Sequence, residues 1–215
     1  MQLSKKKLSV FALILCLSAV TAVAQTPRGI TPEDYYSFEF ASDPQISPDG
    51  KLVAYTLTKV DRAQNRRNAS VWMLATDGSR APWQFTTSPQ TSNSPRWSPD
   101  GKSLAFLSSR PESTPSAASQ TATPAEQPRA QVYLLSMNGG EARRVTNLKN
   151  GVSTFRWSPD GSRFVIVSRV GPSDSRAENR DRSDVRHYKN SSYKFNDTGW
   201  FDDRRTHLWV VDVKS

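Results

Sequence analysis

Three stretches of the chain repeat one pattern of apolar and polar positions. Each has a few extended residues, the turn Ser-Pro-Asp-Gly and an apolar run: DPQISPDGKLVAYTL (43–57), SPRWSPDGKSLAFLS (94–108) and TFRWSPDGSRFVIVS (154–168). Proline fixes φ at the second turn position, aspartate tolerates the third, and glycine supplies the left-handed residue that closes the turn. Each copy therefore predicts one β-hairpin, with structural turn residues Asp49, Gly50, Asp100, Gly101, Asp160 and Gly161.

The strand after each turn is apolar on both faces instead of alternating, as VAYTL, LAFLS and FVIVS show. This pattern is typical of a sheet that neighbouring sheets cover on both sides. Further along, SVWMLATDGS leads to WQFT and QVYLLSMNGGE leads to ARRVT. Each pair predicts another hairpin, closed by Asp77-Gly78 or by Asn138-Gly139-Gly140. The first two copies therefore predict four strands each.

Four-stranded units that recur 51 and 60 residues apart, counted between the turn glycines, predict the blades of a β-propeller. A β-sandwich with similar turns by chance is the alternative, and it is disfavoured because an Arg-Trp pair precedes two of the three turns. We interpret Trp97 and Trp157 as core residues, since Ile46 takes their place in the first copy. The predicted fold class is all-β, a partial β-propeller of four-stranded blades at 43–87, 93–148 and 151–215.

The third copy reaches HLWVVDVKS, the counterpart of SVWMLATDG and QVYLLSMNG, but the given sequence holds no fourth strand after it. A propeller ring typically has four to eight blades, so we expect an incomplete last blade and the front portion of a longer protein. The connections between second and third strands vary most in length, at 59–69, 111–129 and 170–205. Because equivalent loops emerge on one face of a propeller, a partner or substrate could be met there.

The first residues have the pattern of a secretory signal peptide, which we assign to 1–24. Three lysines at 5–7 form a basic region, an apolar stretch follows, and small residues predict cleavage after Ala24. The apolar stretch is shorter than the roughly 20 residues of a membrane span. We therefore expect an exported protein, periplasmic or secreted, without stable membrane insertion.

The segment 25–42 precedes the first repeat and contains TPEDYYSFEF. Thr31 suits the N-cap position of a helix, and Pro32 suits the first helical position because its fixed φ matches the helix. Asp34 lies near the helix start, where a negative charge is favoured. The segment therefore predicts a short helix before the first blade.

Charge and rare residues exclude several kinds of partner. The net charge is +9, but three of these charges lie at 5–7, and the remaining excess is dispersed. The densest basic cluster, at 176–186, has acidic residues between its arginines, which favours a solvated loop over a nucleic-acid site. The lone Cys16 leaves with the signal peptide, and His187 and His207 do not form a ligand set, so we expect no disulfide, metal or cofactor.

Three stretches carry a resemblance to a known family: the opening ITPEDYYSFEFASDPQISPDGKLVAYTL, the repeated RWSPDG, and YKFNDTGWFDDRRTHLWVVDV at 193–213. Together they resemble the N-terminal propeller of the prolyl oligopeptidase family of serine peptidases, in its acylaminoacyl-peptidase and dipeptidyl-peptidase-like branch. The first two also occur in TolB-like periplasmic propellers, whereas the third resembles this peptidase branch in particular. The resemblance implies a C-terminal α/β-hydrolase domain with a Ser-Asp-His triad. It also implies that the propeller caps this domain and limits its substrates to short peptides.

The sequence contains no Gly-x-Ser-x-Gly nucleophile elbow, so we expect no catalytic residue and no activity of this chain alone. Our candidates for substrate binding are Tyr193, Trp200, Arg204, Arg205 and His207. The two arginines could bind a peptide carboxylate by forked hydrogen bonds, with local packing as the alternative role. The predicted function is to gate and position short peptides for the hydrolase domain. A TolB-like periplasmic scaffold for protein interactions remains the alternative.

Overall fold

The computed structural model describes residues 28–87, 90–110, 128–174, 193–195, 199–200 and 203–214. The chain separates into two compact units, Met1–Tyr35 and Tyr36–Ser215. The predicted signal peptide lies outside the described residues. Within the described ranges, no helix is long and apolar enough to span a membrane.

The short helix predicted before the first repeat is present as a 3-10 helix, Pro32–Ser37. The Asp34 carboxylate accepts hydrogen bonds from the backbone N–H of Thr31 at 2.7 Å and from its hydroxyl at 3.0 Å. It also accepts two from the Arg28 guanidinium, at 2.7 and 2.5 Å, which hold the pKa of Asp34 well below its usual range. The aspartate thus reaches back to the start of the helix in the manner of a capping box.

Three antiparallel sheets correspond to the three sequence repeats. The first sheet consists of β1 (Glu39–Ile46), β2 (Leu52–Asp61), β3 (Arg66–Ala75) and β4 (Trp83–Gln84). The second sheet consists of β5 (Ser92–Trp97), β6 (Ser103–Ser108), β7 (Gln131–Ser136) and β8 (Arg143–Arg144). The predicted all-β class and the four strands of the first two units are confirmed.

The third sheet has three strands in the described part of the chain: β9 (Thr154–Trp157), β10 (Arg163–Val170) and β13 (Arg205–Asp212). Strand β10 lies between the other two. Between β10 and β13 the chain forms a 3-10 turn, Pro172–Asp174, and a two-stranded ribbon of β11 (Lys194–Phe195) and β12 (Gly199–Trp200). This sheet matches the last blade that the sequence predicts as incomplete.

The first strands of the first two sheets contain the same irregularity. The register between β1 and β2 shifts between 42 and 45, and the register between β5 and β6 shifts between 93 and 96. Asp43 and Ser94 occupy the same repeat position at these bulges and have positive φ angles of 49° and 56°. The repeat therefore conserves this backbone shape even where the side chain changes.

The second strand of the middle sheet is covered on both faces, as the sequence predicts. Leu104 and Phe106 belong to an apolar cluster that includes β2 and β3 of the first sheet. Ala105 and Leu107 point the other way, into a cluster that includes β9 and β10 of the third sheet. All four side chains are buried. Burying a Leu or Phe side chain stabilises the fold by about 1.5–3 kcal/mol, so face-to-face packing of consecutive sheets provides the core.

Candidate functional site

The Ser-Pro-Asp-Gly turns have the same hydrogen bonds in all three repeats. In the first, Ser47 Oγ donates to Asp49 Oδ1 at 2.6 Å and accepts from the Leu52 N–H at 2.9 Å. Asp49 Oδ1 also accepts from the Lys51 N–H at 3.2 Å. The equivalent bonds form in the second and third turns, and the three turn glycines have φ of 73°, 69° and 70°. Serine, aspartate and glycine are thus each required by a specific part of the turn.

These hydrogen bonds favour the ionised form of the turn aspartates. Hydrogen bonds from Ser47 and Ser98 lower the pKa values of Asp49 and Asp100. The pKa of Asp160 is lowered to about 2 because the Ser158 side chain, and then the Ser162 side chain, donate to its carboxylate. At neutral pH, one end of the stacked sheets therefore presents a negative charge from each turn.

Successive turns lie against one another at this end of the sheets. A Cβ atom on Gly101 would lie 3.6 Å from Pro48, and one on Gly161 would lie 3.4 Å from Pro99. A cleft of about 470 Å³ opens between the second and third sheets. It is lined by Ser98, Pro99, Asp100, Ser103, Leu134, Trp157, Asp160, Gly161 and Val213. With two ionised carboxylates in its lining, the cleft favours cationic groups over anionic ones.

The tryptophan before each of the last two turns joins neighbouring sheets. Trp97 Nε1 donates to the Gln45 carbonyl oxygen at 2.9 Å, and Trp157 Nε1 donates to the Arg96 carbonyl oxygen at 3.1 Å. Each acceptor lies two residues before the turn of the preceding repeat. The two indoles pack against the apolar clusters, as the sequence predicts, and they also form these bonds. The sequence already showed this recurrence, because tryptophan precedes the second and third turns and Ile46 takes its place only before the first.

A salt bridge joins the first two sheets beside these bonds. Arg96 Nη1 lies 2.7 Å from Asp43 Oδ2, and the two side chains are 16% and 30% exposed. Gln45 Nε2 donates to the other carboxylate oxygen of Asp43 at 2.8 Å. Sequence reasoning missed this pair because its members lie 53 positions apart and in different repeats.

Both ends of the connection between β10 and β13 meet at Asp174. Its Oδ2 accepts hydrogen bonds from Asn150 Nδ2 at 2.8 Å and from the Gly171 N–H at 2.9 Å. Its Oδ1 accepts from Arg204 Nε at 2.8 Å. The pKa of Asp174 is lowered to about 2, first by the Asn150 hydrogen bond and then by Arg204. This cluster fixes where the chain leaves the third sheet and where it returns.

The returning chain passes directly over Gly171. A Cβ atom at this position would lie 2.5 Å from the Asp203 carbonyl oxygen and 2.8 Å from Arg204 Cα. Real Cβ atoms do not come so close to backbone, so any other residue would force the two segments apart. Neither Gly171 nor Asp174 was among the sequence candidates, because only the fold brings them to Arg204.

The five candidate substrate-binding residues lie in two places. One group lies at the start of β13 and contains Arg204, Arg205 and His207. There, Arg204 binds Asp174. The His207 ring lies edge-on to Trp209, with 6.5 Å between the ring centroids. Arg205 donates to the Arg204 carbonyl oxygen at 3.1 Å and is exposed, as is His207. Tyr193, also exposed, precedes β11, and Trp200 pairs through its backbone with Lys194 in the ribbon.

Comparisons with known proteins identify relatives of this chain. No protein-family model matches the chain. The uncharacterized peptidase YuxL of Bacillus subtilis is 33% identical over 192 residues, which are 86% of this chain and 26% of that protein. Dipeptidyl-peptidase 5 of Porphyromonas endodontalis is 26% identical over 153 residues, 71% of this chain and 20% of that protein. The chain thus spans about a quarter or less of the length of these curated relatives.

Solved structures agree on the fold. The acylaminoacyl peptidase of Pyrococcus horikoshii superposes with a TM-score of 0.60 and 24% identity, over 87% of this chain and 25% of that one. The β-propeller domain of the trilobed protease of Pyrococcus furiosus superposes with a TM-score of 0.50 and 19% identity, over 84% and 41%. Repeat, stacked sheets and relatives lead to one assignment: the chain belongs to the prolyl oligopeptidase family of peptidases, as an N-terminal β-propeller portion.

Proposed function

We propose that this propeller portion is the non-catalytic part of an exported serine peptidase, and that it admits and positions short peptides for an α/β-hydrolase domain. The observation that carries the proposal is the exposure of apolar side chains on the third sheet. Leu208 and Val210 of β13 are 74% and 64% exposed, whereas Val71 and Val132, at the repeat position of Leu208, are fully buried. Exposed apolar surface of this kind marks an interaction site.

The first two sheets indicate what would cover this surface. Val71 lies in the apolar cluster between the first and second sheets, and Val132 lies in the cluster between the second and third sheets. In both cases the following sheet covers the valine, so a further sheet stacked on the third would bury Leu208, which supports a role for this chain within a longer protein.

The connection between β10 and β13 supports the positioning role. It is the longest of the three connections that the sequence predicts on one face, and the Asp174 cluster fixes both of its ends. Arg205, His207 and Tyr193 are exposed near its ends and along it. We assign these side chains, with Trp200, to contacts with a peptide, and we assign Arg204 to fixing the connection through Asp174.

The test is to express this chain together with the coding sequence that follows codon 215. We expect a Gly-x-Ser-x-Gly hydrolase domain, cleavage of short peptides, and loss of cleavage on replacement of its serine by alanine. Removal of the propeller should leave cleavage of a small ester but abolish the preference for short over long peptides. A hydrolase domain with the same length preference after this removal would contradict the gating role.

The scaffold alternative predicts a different result. The downstream sequence would then complete a propeller without any hydrolase, and a pull-down from the cell envelope would recover a partner in stoichiometric amount. That outcome would replace the peptidase role with a binding role. Export is tested by the same material, because N-terminal sequencing of the secreted protein should begin at Gln25.

A further inference from the structure

The third sheet stacks on the second as the second stacks on the first. The Trp157 bond to the Arg96 carbonyl repeats the Trp97 bond to the Gln45 carbonyl. The contact of Gly161 with Pro99 repeats that of Gly101 with Pro48. Two independent contacts therefore place each first strand in the same way against the preceding one, at the end where the turns lie.

Within this frame, Arg156 of the third sheet is the counterpart of Arg96 of the second. Arg96 Nη1 donates to the carbonyl oxygen of the residue before it, Pro95, at 2.6 Å. Arg156 Nη1 does the same to Phe155 at 2.9 Å. The two side chains thus turn back along their own strands in the same way, and Arg96 also reaches Asp43 of the preceding sheet.

The residue that Arg96 meets in the preceding sheet differs from the residue at the same repeat position one sheet later, which is Ser94. Arg96 binds the carboxylate of Asp43 at 2.7 Å, and Asp43 sits at the bulge with φ of 49°. Ser94 occupies the same bulge position in the second sheet, with φ of 56°, and its short hydroxyl donates to Asn93 Oδ1 at 3.1 Å. The Arg156 guanidinium is exposed, and in the described part of the chain its one hydrogen bond is to the Phe155 carbonyl.

We propose that Arg156, with Ser94 beside it, is a carboxylate-binding site on the first strand of the third sheet. The Arg96–Asp43 pair is the internal template, because it shows a carboxylate bound by the equivalent guanidinium across the equivalent pair of sheets. A guanidinium presents several N–H donors in a planar fork that suits a carboxylate, and such charge-assisted bonds are stronger than neutral ones. The ligand class is the carboxylate of a peptide, either its C-terminal group or an acidic side chain.

This site differs from the arginines that the sequence analysis favoured. Arg204 Nε is already bound to Asp174, whose carboxylate takes the place that a ligand would need. Arg156 has no counterpart of that carboxylate, because the repeat has serine where it has aspartate one sheet earlier. That the natural ligand is a peptide rests on the proposed function, whereas binding of a carboxylate at Arg156 does not.

The test measures binding without catalysis. The protein, labelled with ¹⁵N, is titrated with three probes: N-acetyl-trialanine with a free carboxylate, the same peptide as its amide, and N-acetyl-Ala-Asp-Ala amide. We expect the Arg156 Nε–Hε resonance to shift with at least one carboxylate probe and not with the trialanine amide. The first and third probes distinguish a terminal from a side-chain carboxylate. Equal shifts with all three probes would overturn the proposal.

Two substitutions at position 94 test whether a carboxylate at this position pairs with Arg156 and competes with the probes. Ser94→Asp restores the aspartate of the template at a φ that aspartate tolerates, so it should pair with Arg156 and weaken probe binding about tenfold or more. It should also raise the thermal midpoint by about 2 °C, as expected of a new ion pair in a domain of this size. Ser94→Asn, similar in shape and uncharged, should leave both binding and midpoint close to those of the parent.

The matched change at the arginine is Arg156→Gln, which removes the charge. A second variant, Arg156→Lys, retains the charge but not the planar set of N–H donors. We expect Arg156→Gln to abolish the carboxylate-dependent shifts of neighbouring amides and Arg156→Lys to weaken binding. Both variants should keep the parent far-UV circular dichroism, because the side chain is exposed. Undiminished binding in Arg156→Gln, or in Ser94→Asp, would overturn the assignment independently of whether the protein takes part in a peptidase.

Discussion

The indole N–H of Trp157 donates a hydrogen bond to the carbonyl oxygen of Arg96, 61 positions earlier in the chain. Trp97 forms the same bond with Gln45, although glutamine and arginine have little in common as side chains. The acceptor is a backbone group that every residue supplies. This hydrogen bond between sheets therefore requires a particular side chain only at the donor position, which explains why tryptophan recurs while its partner position varies.

Replacement of Trp157 by phenylalanine should measure this bond. Trp157→Phe keeps an aromatic ring next to Phe164, 4.2 Å away between centroids, but it removes the donor to the Arg96 carbonyl. We expect a loss of about 1–2 kcal/mol in the free energy of unfolding, from the bond and from the smaller ring. Urea unfolding followed by fluorescence and circular dichroism would show a lower midpoint at an unchanged m-value.

The matched control is Trp209→Phe in β13. Trp209 is 41% exposed, and no hydrogen bond of its indole is described. Its replacement should change the free energy of unfolding by less than about 0.5 kcal/mol, as surface substitutions usually do. Equal losses from the two substitutions would mean that ring area, and not the bond to Arg96, makes Trp157 important.

Gly171 should tolerate no side chain. Gly171→Ala would place a Cβ atom 2.5 Å from the Asp203 carbonyl oxygen, so the segments on either side of the Asp174 cluster must separate. Forced contacts in a packed site cost about 1–3 kcal/mol, and loss of the hydrogen bond from the Gly171 N–H to Asp174 would add to this. A urea melt of Gly171→Ala against Gly29→Ala, where nothing lies within 4 Å, measures the difference. An alanine accepted equally well at both positions would contradict the close approach.

The strands and turns of the fold could be predicted from the sequence because each of them is encoded by neighbouring residues within the repeat. Turn, bulge glycine and two-faced apolar strand each follow from residues within a few positions, as in the segment that contains Leu104 and Phe106. The candidate site depends instead on contacts between residues far apart in the chain. Arg96 with Asp43 and Arg204 with Asp174 join residues 53 and 30 positions apart, and neither spacing corresponds to a local motif. Arg204 was recognised as a carboxylate binder, but its carboxylate comes from the protein itself.

Acid should weaken the structure through two carboxylates whose pKa values are about 2 in the folded protein, Asp160 and Asp174. An unfolded aspartate has a pKa of about 3.9, so the unfolded state binds more protons between these values. Stability is therefore fully present above about pH 4 and falls as the pH drops toward about 2. Urea midpoints of the parent measured at several pH values across this window should decline progressively with acidity.

Two variants assign the decline to these groups. In Asp174→Asn the carboxylate is absent, so the slope of stability against pH should be shallower than in the parent. In the double variant Ser158→Ala with Ser162→Ala, the pKa of Asp160 should rise part of the way toward about 3.9, because the two hydroxyl bonds are lost while the bond from the backbone N–H of residue 162 remains. Carboxyl NMR signals report each pKa directly. A parent slope retained in both variants would show that other groups dominate acid unfolding.

The repeat also predicts that truncating an apolar side chain at one repeat position lowers the free energy of unfolding by different amounts in the second and third sheets. Val132→Ala removes two methyl groups from a fully buried site and should cost about 1–3 kcal/mol, whereas Leu208 at the same repeat position is 74% exposed. Leu208→Ala should therefore cost less than about 0.5 kcal/mol in this chain. In a longer protein in which a further sheet stacks on the third as the third stacks on the second, Leu208 should be covered, and the cost should rise to that of a core substitution. Urea unfolding of both proteins provides the comparison. A cost for Leu208→Ala that stays small in the longer protein would mean that this face of the third sheet remains uncovered there, available to a partner from outside the chain.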